Sequence, residues 1–423
     1  MNLGFVDIVQ KVTEDGTYQL MTFDFYATFV AICGVLLIGA FITDNSKFLN
    51  KYYIPVPVTG GLIAALVFFI ISVVFDIRLA FEESIKTPFM LMFFTSVGLS
   101  ADFASLRKGG KLLLTFGIVV CFFLIVQNAI GVSIMSLLGE NPLLGLLGGS
   151  ITLSGGHGTG AAWSDVFKAS PYDFTAAKEV AMASATYGLI AGGLIGGPIA
   201  QHLIKKYNLK STEEPYDVDP NENEVFDNVH KQRLITPYSL TRSLGLFALA
   251  MFCGTFIAYI TKGTAVALPT FVWCLFSGIV IRNALSYFNI HQVFNREVGV
   301  VGNVCLSFFL AMAIMTLNLV ELTRLALPLL ILLVVQTIAL ILYVRYVTFG
   351  VCGKDYNAAC LVAGHCGFGM GATPTAIANL QTVTDHFGPS RISFIVVPVM
   401  GGFFIDIANA IVIKLYLFLP MFA

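Results

Sequence analysis

The chain has 423 residues, of which 57% are hydrophobic and 12% charged, with a formal net charge of −1. Soluble proteins carry about 25% charged residues, so a water-soluble globular fold is excluded and a polytopic membrane protein is indicated. The near-neutral balance offers no basic surface for nucleic acid, and eight cysteines without a C-x-x-C spacing give neither a zinc site nor a disulfide framework.

The first residues carry Asp7, Glu14 and Asp15 and lack the basic start and apolar run of a secretory signal. Residues 1–21 therefore read as a polar arm. A spanning helix needs roughly 20 apolar residues. Residues 22–204 offer five such segments, near Phe23–Ile42, Pro57–Phe75, Pro88–Phe103, Leu112–Leu138 and Glu179–Leu203. Between the fourth and fifth, residues 142–163 (Pro142–Trp163) are apolar but cut by repeated glycines. Residues 205–242 form the one long polar stretch, acidic and broken by Pro215 and Pro220, and read as a cytoplasmic linker. Residues 243–423 offer five more segments, near Leu244–Thr261, Pro269–Tyr287, Val298–Leu319, Leu325–Thr348 and Ile392–Leu419, with a second interrupted piece at 358–380 (Ala358–Leu380).

With the linker inside, about two-thirds of the 24 Lys and Arg residues fall on the inner side, which puts both termini outside. An odd number of spans per half makes the second half enter the membrane from the opposite face, so any repeat between the halves is inverted. Both interrupted pieces contain G-x-G-x-G-A, at Gly156–Ala161 and at Gly367–Ala372. Glycine is costly inside a helix, and at bilayer depth non-helical backbone survives only where protein or water covers it. Each piece is therefore expected to be a re-entrant hairpin. Paired interruptions in corresponding places of two halves point to a transporter's binding site.

At these residues the chain resembles the bacterial sodium/glutamate symporters. The likeness covers nearly the whole chain and is densest in Gly148–Trp163, Ala363–Asn379 and Phe404–Leu417; the N-terminal arm and the linker agree little. The resemblance implies symport of L-glutamate with Na⁺, the coupling ion, across the bacterial inner membrane, with no organic cofactor. It also implies an all-α fold like that of the 2-hydroxycarboxylate transporters: two inverted five-helix repeats, two re-entrant hairpins, a homodimer in lipid, and elevator-type movement.

Glutamate brings two carboxylates and one ammonium. Backbone N–H groups and half-helix N-termini at Gly155, Gly156, Gly158, Gly160, Gly367, Gly369 and Gly371 suit its oxygens without burying a full charge. Ser154, Thr159, Thr373 and Thr375 add hydroxyls, and Pro374 fits a helix start. The competing role for these glycines is close helix packing. Asp406, an intramembrane acid with Asn409 nearby on the last helix, is expected to bind the ammonium or, second, Na⁺; pairing with Lys414 is the structural alternative. Oxygen-bearing candidates for Na⁺ are Asn128, Ser154, Asn303, Thr375, Asn379 and Asp406, though interhelical hydrogen bonding is as good a role for Asn128 and Asn303. His157 and His365 lack the company of a transition-metal site and are expected to fix the hairpins by hydrogen bonds.

The glycine runs lack the setting of a dinucleotide fingerprint and are followed by no Walker lysine. Ser154 with His157 has no third group to make a catalytic triad, so no enzyme is expected. A transporter of another small dicarboxylate or amino-acid anion, with the same architecture, remains the open alternative.

Overall fold

The computed structural model describes residues 5–13, 16–51, 54–103, 110–211, 234–264, 267–290 and 293–422. In chain order the first half gives α1 (Phe25–Asn45), α2 (Val56–Phe75), α3 (Lys86–Ser100), α4 (Gly110–Leu137), a broken pair α5 (Pro142–Ile151) and α6 (Gly156–Lys168), and α7 (Ala177–Tyr207). The second half gives α8 (Pro237–Thr261), α9 (Thr270–Tyr287), α10 (Asn295–Met315) and α11 (Leu319–Tyr343, carried through a π turn to Val351). A second broken pair follows, α12 (Tyr356–Met370) and α13 (Thr373–Phe387), and then α14 (Arg391–Leu417). The two halves run through the same order of long helices and one broken pair.

Among the described residues, nine helices are long and apolar enough to cross a membrane. The remaining expected span is α3, whose 15 residues rise only about 22 Å, short of a hydrocarbon layer of about 30 Å. A side chain from α9 ends it early. Asn283 Nδ2 donates to the Ala101 carbonyl at 2.8 Å, and the Phe103 N–H donates to Asn283 Oδ1 at 3.0 Å. The expected linker is also trimmed, because α7 runs on to Tyr207 and α8 already begins at Pro237; its residues 212–233 lie outside the described ones.

The N-terminal segment is not a plain arm. Strand β1 (Val6–Thr13) pairs antiparallel with β2 (Gly16–Phe23), with Val6 opposite Phe23. Strand β2 in turn pairs in parallel with β3 (Ile77–Ala80), Gln19 opposite Ile77. Val6, Ile8, Val9 and Val12 make β1 rich in β-branched residues, which suit a pleated surface, while its charges keep it from reading as a span.

The helices sort into two bundles, each drawing equivalent elements from both halves. One holds α1–α3 and α8–α10; the other holds α4–α7 and α11–α14. Glycine sets the closest approaches. A Cβ at Gly98 of α3 would lie 2.1 Å from the Leu275 carbonyl oxygen of α9, and one at Gly188 of α7 would lie 2.0 Å from the Met370 oxygen of α12. On α7 the stripe continues, one turn at a time, through Gly192 and Gly196, which face Cys366 O and the Asn379 side chain. Close packing is what these α7 glycines do.

Contacts between helix ends fall into two sets. Lys86 at the start of α3 pairs with Asp165 near the end of α6 at 2.5 Å, and Lys178 at the start of α7 donates to Thr316 at the end of α10. In the other set, His202 late in α7 meets Arg345 late in α11, and Ser211 donates to Pro389 O. The Tyr356 hydroxyl donates to Gly388 O, so α12 begins where α13 ends.

Candidate functional site

The glycine-rich stretches are where the helices break. Helix α5 passes into a π turn at Leu147–Ile151, with Gly149 outside helical geometry (φ −105, ψ −135). The chain restarts as α6 at Gly156, which takes φ +70, a conformation that L side chains resist. In the second pair, the N–H groups of Gly371 and Ala372 both donate to Gly367 O, Ala372 is extended, and α13 restarts at Thr373 with Pro374 in its first turn. The breaks meet: a Cβ at Gly156 would lie 3.6 Å from Gly371 O, its one neighbour within 4 Å.

Each break sets the C-terminal end of one helix against the N-terminal start of the next. The carbonyl end carries partial negative character and the N–H end partial positive character. The starts of α6 and α13 leave the N–H groups of Gly156, His157 and Gly158, and of Thr373 and Thr375, without acceptors one turn back. The junction therefore presents both donors for carboxylates and carbonyls for a cation. It is partly open, with Pro374 exposed and Gly155, Gly156, Thr373 and Asp406 half-buried.

This geometry narrows the expected role of the glycines. The Gly155 N–H is taken by Ser150 O at 3.0 Å. Gly160 lies inside α6, and Gly367 and Gly369 inside α12, so their N–H groups belong to helical bonds. A Cβ at Gly367 would lie 2.3 Å from Ala376 Cα, and one at Gly160 would lie 2.8 Å from Thr152 Cγ2. Gly158 abuts Phe93 of α3 and Leu306 of α10, which sets the first break against the neighbouring bundle. Gly156 and Gly371 are the two that form the junction.

Buried side chains tie the breaks to α4, α7 and α14. Gln127 Nε2 donates to Gly369 O at 3.1 Å, and Ser154 Oγ donates to Gln127 Oε1 at 2.7 Å. Asn128 Oδ1 accepts from the Ser150 N–H at 2.9 Å, while its Nδ2 is buried without a partner among the described residues. Ser150 Oγ donates to Asn409 Oδ1 at 2.6 Å, and Asn409 Nδ2 donates back to Ser150 O at 2.8 Å. Asn379 Nδ2 donates to Gly192 O at 2.9 Å, and Thr373 Oγ1 donates to Gly401 O, in a π turn of α14, at 2.5 Å. The Thr375 hydroxyl, in the first turn of α13, is buried with no partner among the described residues.

Asp406 follows that π turn and makes no hydrogen bond or ion pair among the described residues. It is not paired with Lys414, whose ammonium lies over the Phe418 ring, 4.9 Å from its centroid. Asn303 stands apart from the other cation candidates: it is exposed on α10, in the other bundle. Both histidines are held by hydroxyls, His157 Nε2 by Thr186 and His365 Nδ1 by Thr348, each at 3.0 Å. His365 also stacks on Phe368 and meets Phe116, Phe123 and Tyr343 edge-on. Among the described residues no group of three or more His, Cys, Asp or Glu is placed to hold a metal ion. Ser150 and Gln336 were not singled out by sequence; Gln336, which donates to Gln127 O at 2.8 Å, is legible only as a lone amide in an apolar helix.

The family whose model matches residues 21–389 is described as Sodium/glutamate symporter. A protein of Escherichia coli (strain K12) named sodium/glutamate symporter is 52% identical over 400 residues, covering 95% of this chain and 99% of that protein. A protein of the same name from Haemophilus influenzae is 44% identical over 393 residues, covering 93% of this chain and 97% of its own length.

Proposed function

The chain belongs to the sodium/glutamate symporter family, and from that premise we propose that it carries L-glutamate into the cell together with Na⁺. The observation that carries this reading is the meeting of Gly156 and Gly371, where two interrupted helices from opposite halves bring donor and acceptor ends together. One carboxylate sits at the start of α6, on the N–H groups of Gly156, His157 and Gly158. The other sits at the start of α13, with the Thr373 and Thr375 N–H groups and the unpartnered Thr375 hydroxyl. Such ends stabilise anions without a buried cation that would hold them too tightly. Asp406 takes the ammonium, which gives an otherwise unpaired acid its partner; a dicarboxylate lacking an amine leaves that acid with only Na⁺.

Na⁺ takes oxygen ligands, drawn from carbonyls at the carbonyl ends of α5 and α12 and from the Ser154, Thr375, Asn128 and Asn379 side chains. Asp406 is its second candidate role, and Asn303 contributes only if the bundles move together. Uptake against a gradient then draws on the Na⁺ gradient and on the membrane potential, about 2.3 kcal/mol per charge per 100 mV.

We read the broken pairs as re-entrant hairpins of two inverted repeats (142–163 within 22–204, 358–380 within 243–423), opening from outside and inside respectively. The bundle of α4–α7 and α11–α14 slides as a unit, elevator-fashion, against α1–α3 and α8–α10. What supports this is the division of contacts and the seat of the first break against Phe93 and Leu306. The protein works as a homodimer in the bacterial inner membrane, with both termini periplasmic and residues 205–242 cytoplasmic. The test is uptake of labelled L-glutamate into proteoliposomes under an inward Na⁺ gradient or an equal K⁺ gradient. Accumulation with Na⁺ and none with K⁺ is expected; equal uptake in both would overturn symport.

A further inference from the structure

We propose that Gln127 is the positioning residue that couples the two breaks, so that Na⁺ binding raises affinity for glutamate through its side-chain amide. This deepens the reading above and rests on it. Gln127 is fully buried in the middle of α4. Its amide accepts from Ser154 Oγ at 2.7 Å and donates to Gly369 O at 3.1 Å, and Ser154 Oγ lies 3.2 Å from the same carbonyl. Ser154 stands two residues before Gly156, and Gly369 stands two residues before Gly371. The amide thus reaches each break at the same distance along the chain, and the three groups close a ring in which the single Ser154 proton is shared between Gln127 Oε1 and Gly369 O.

The residue type matters. Of the side chains that fit here, a carboxamide alone offers a donor and an acceptor side by side, as a hydroxyl on one break and a carbonyl on the other require. The α4 backbone is anchored at this point, because Gln336 of α11 donates to the Gln127 backbone carbonyl at 2.8 Å. The next residue, Asn128, holds the first break through the Ser150 N–H at 2.9 Å. A shift of the α6 start against the α12 end must stretch a bond of this ring. In so dry a place an unmade bond is expensive. The breaks are therefore pushed to adopt their ligand-bound geometry together. In thermodynamic terms that is a coupling between two ligands, and it is reciprocal.

The experiment measures L-glutamate affinity of the purified full-length protein by calorimetry, at low and at saturating NaCl, with ionic strength held by KCl. The ratio of the two affinities is the coupling factor, and couplings of this kind span about 5- to 150-fold. In Gln127→Leu the factor is expected to fall about fivefold or more, with affinity at low Na⁺ within about threefold of the parent. Both affinities falling alike, with the factor unchanged, means a purely structural residue and overturns the proposal. Should the leucine variant not be recovered folded, Gln127→Met keeps the length of the side chain but neither the amide donor nor the acceptor for Ser154. It must show the same fall, and an unchanged factor there is equally fatal. A parent protein whose glutamate affinity ignores Na⁺ would instead sink the symport reading itself.

Discussion

Replacing Gly156 by alanine adds one methyl group at the point where the two breaks meet. The residue takes φ +70, a region that costs an L residue roughly 1–2 kcal/mol. The new Cβ would lie 3.6 Å from Gly371 O, an ordinary contact, with no other heavy atom within 4 Å. Folding therefore loses only the backbone term, about 1–2 kcal/mol, which for a chain of this size lowers the melting temperature by about 1–2 °C. Transport loses more. The methyl stands in the junction and covers the N–H groups that start α6, and a charge-assisted hydrogen bond there is worth about 1.5–3 kcal/mol, or roughly ten- to a hundredfold in apparent affinity. Initial uptake into proteoliposomes, measured beside a melting curve, separates the two effects. Gly245→Ala on α8, where a Cβ meets nothing within 4 Å, serves as control and should transport normally with about 1 kcal/mol of added stability. Parental uptake by Gly156→Ala at a melting temperature lowered as expected would refute the placing of the substrate at the junction.

Asp406→Asn should raise the KM for L-glutamate by about ten- to a hundredfold while inhibition by glutarate, which lacks the amine, stays put; equal losses for both would remove the acid from ammonium binding. Gly188→Ala drives a Cβ to 2.0 Å from Met370 O, so α7 and α12 must part at a cost of about 1–3 kcal/mol, seen as early melting or lost monodispersity on size exclusion. Gly197→Ala, on the same helix, meets only Thr382 Cγ2 at 3.8 Å and should melt like the parent. His365→Phe gives up the Thr348 bond but also removes a buried Nε2 that has no partner among the described residues, so stability should hold within about 1 kcal/mol. Its uptake should keep the parental pH profile, and a changed profile would bring the imidazole into transport.

Where the helices break was legible, because glycine density and a following proline mark the places a helix cannot continue. Which end of each break faces the ligand was not. The motif glycines at Gly367 and Gly369 read as N–H donors, yet they lie before the break rather than after it, so they offer carbonyls. Composition marks a break and does not give its phase. The short α3 was hidden for a different reason: its end is fixed by Asn283, 180 residues away in sequence. The Gln127–Gly369 bond spans 242 residues, and no local pattern announces it. Strand β1 does not show among long apolar runs, because its signal is β-branching between charges. Asp406, by contrast, stands out in any apolar helix, and its freedom from Lys414 follows from an eight-residue spacing, about 12 Å along the helix.

The most direct measurement is ligand protection at the junction itself. Pro374→Cys, introduced into a chain whose eight cysteines are replaced by serine or alanine, puts an accessible thiol at the start of α13. Its labelling by a methanethiosulfonate reagent should slow about tenfold or more when L-glutamate and Na⁺ are both present, in line with coupled occupancy, and hardly at all with L-glutamate and K⁺. A labelling rate indifferent to substrate, in protein that still accumulates glutamate, would place the binding site somewhere other than between the two broken helices.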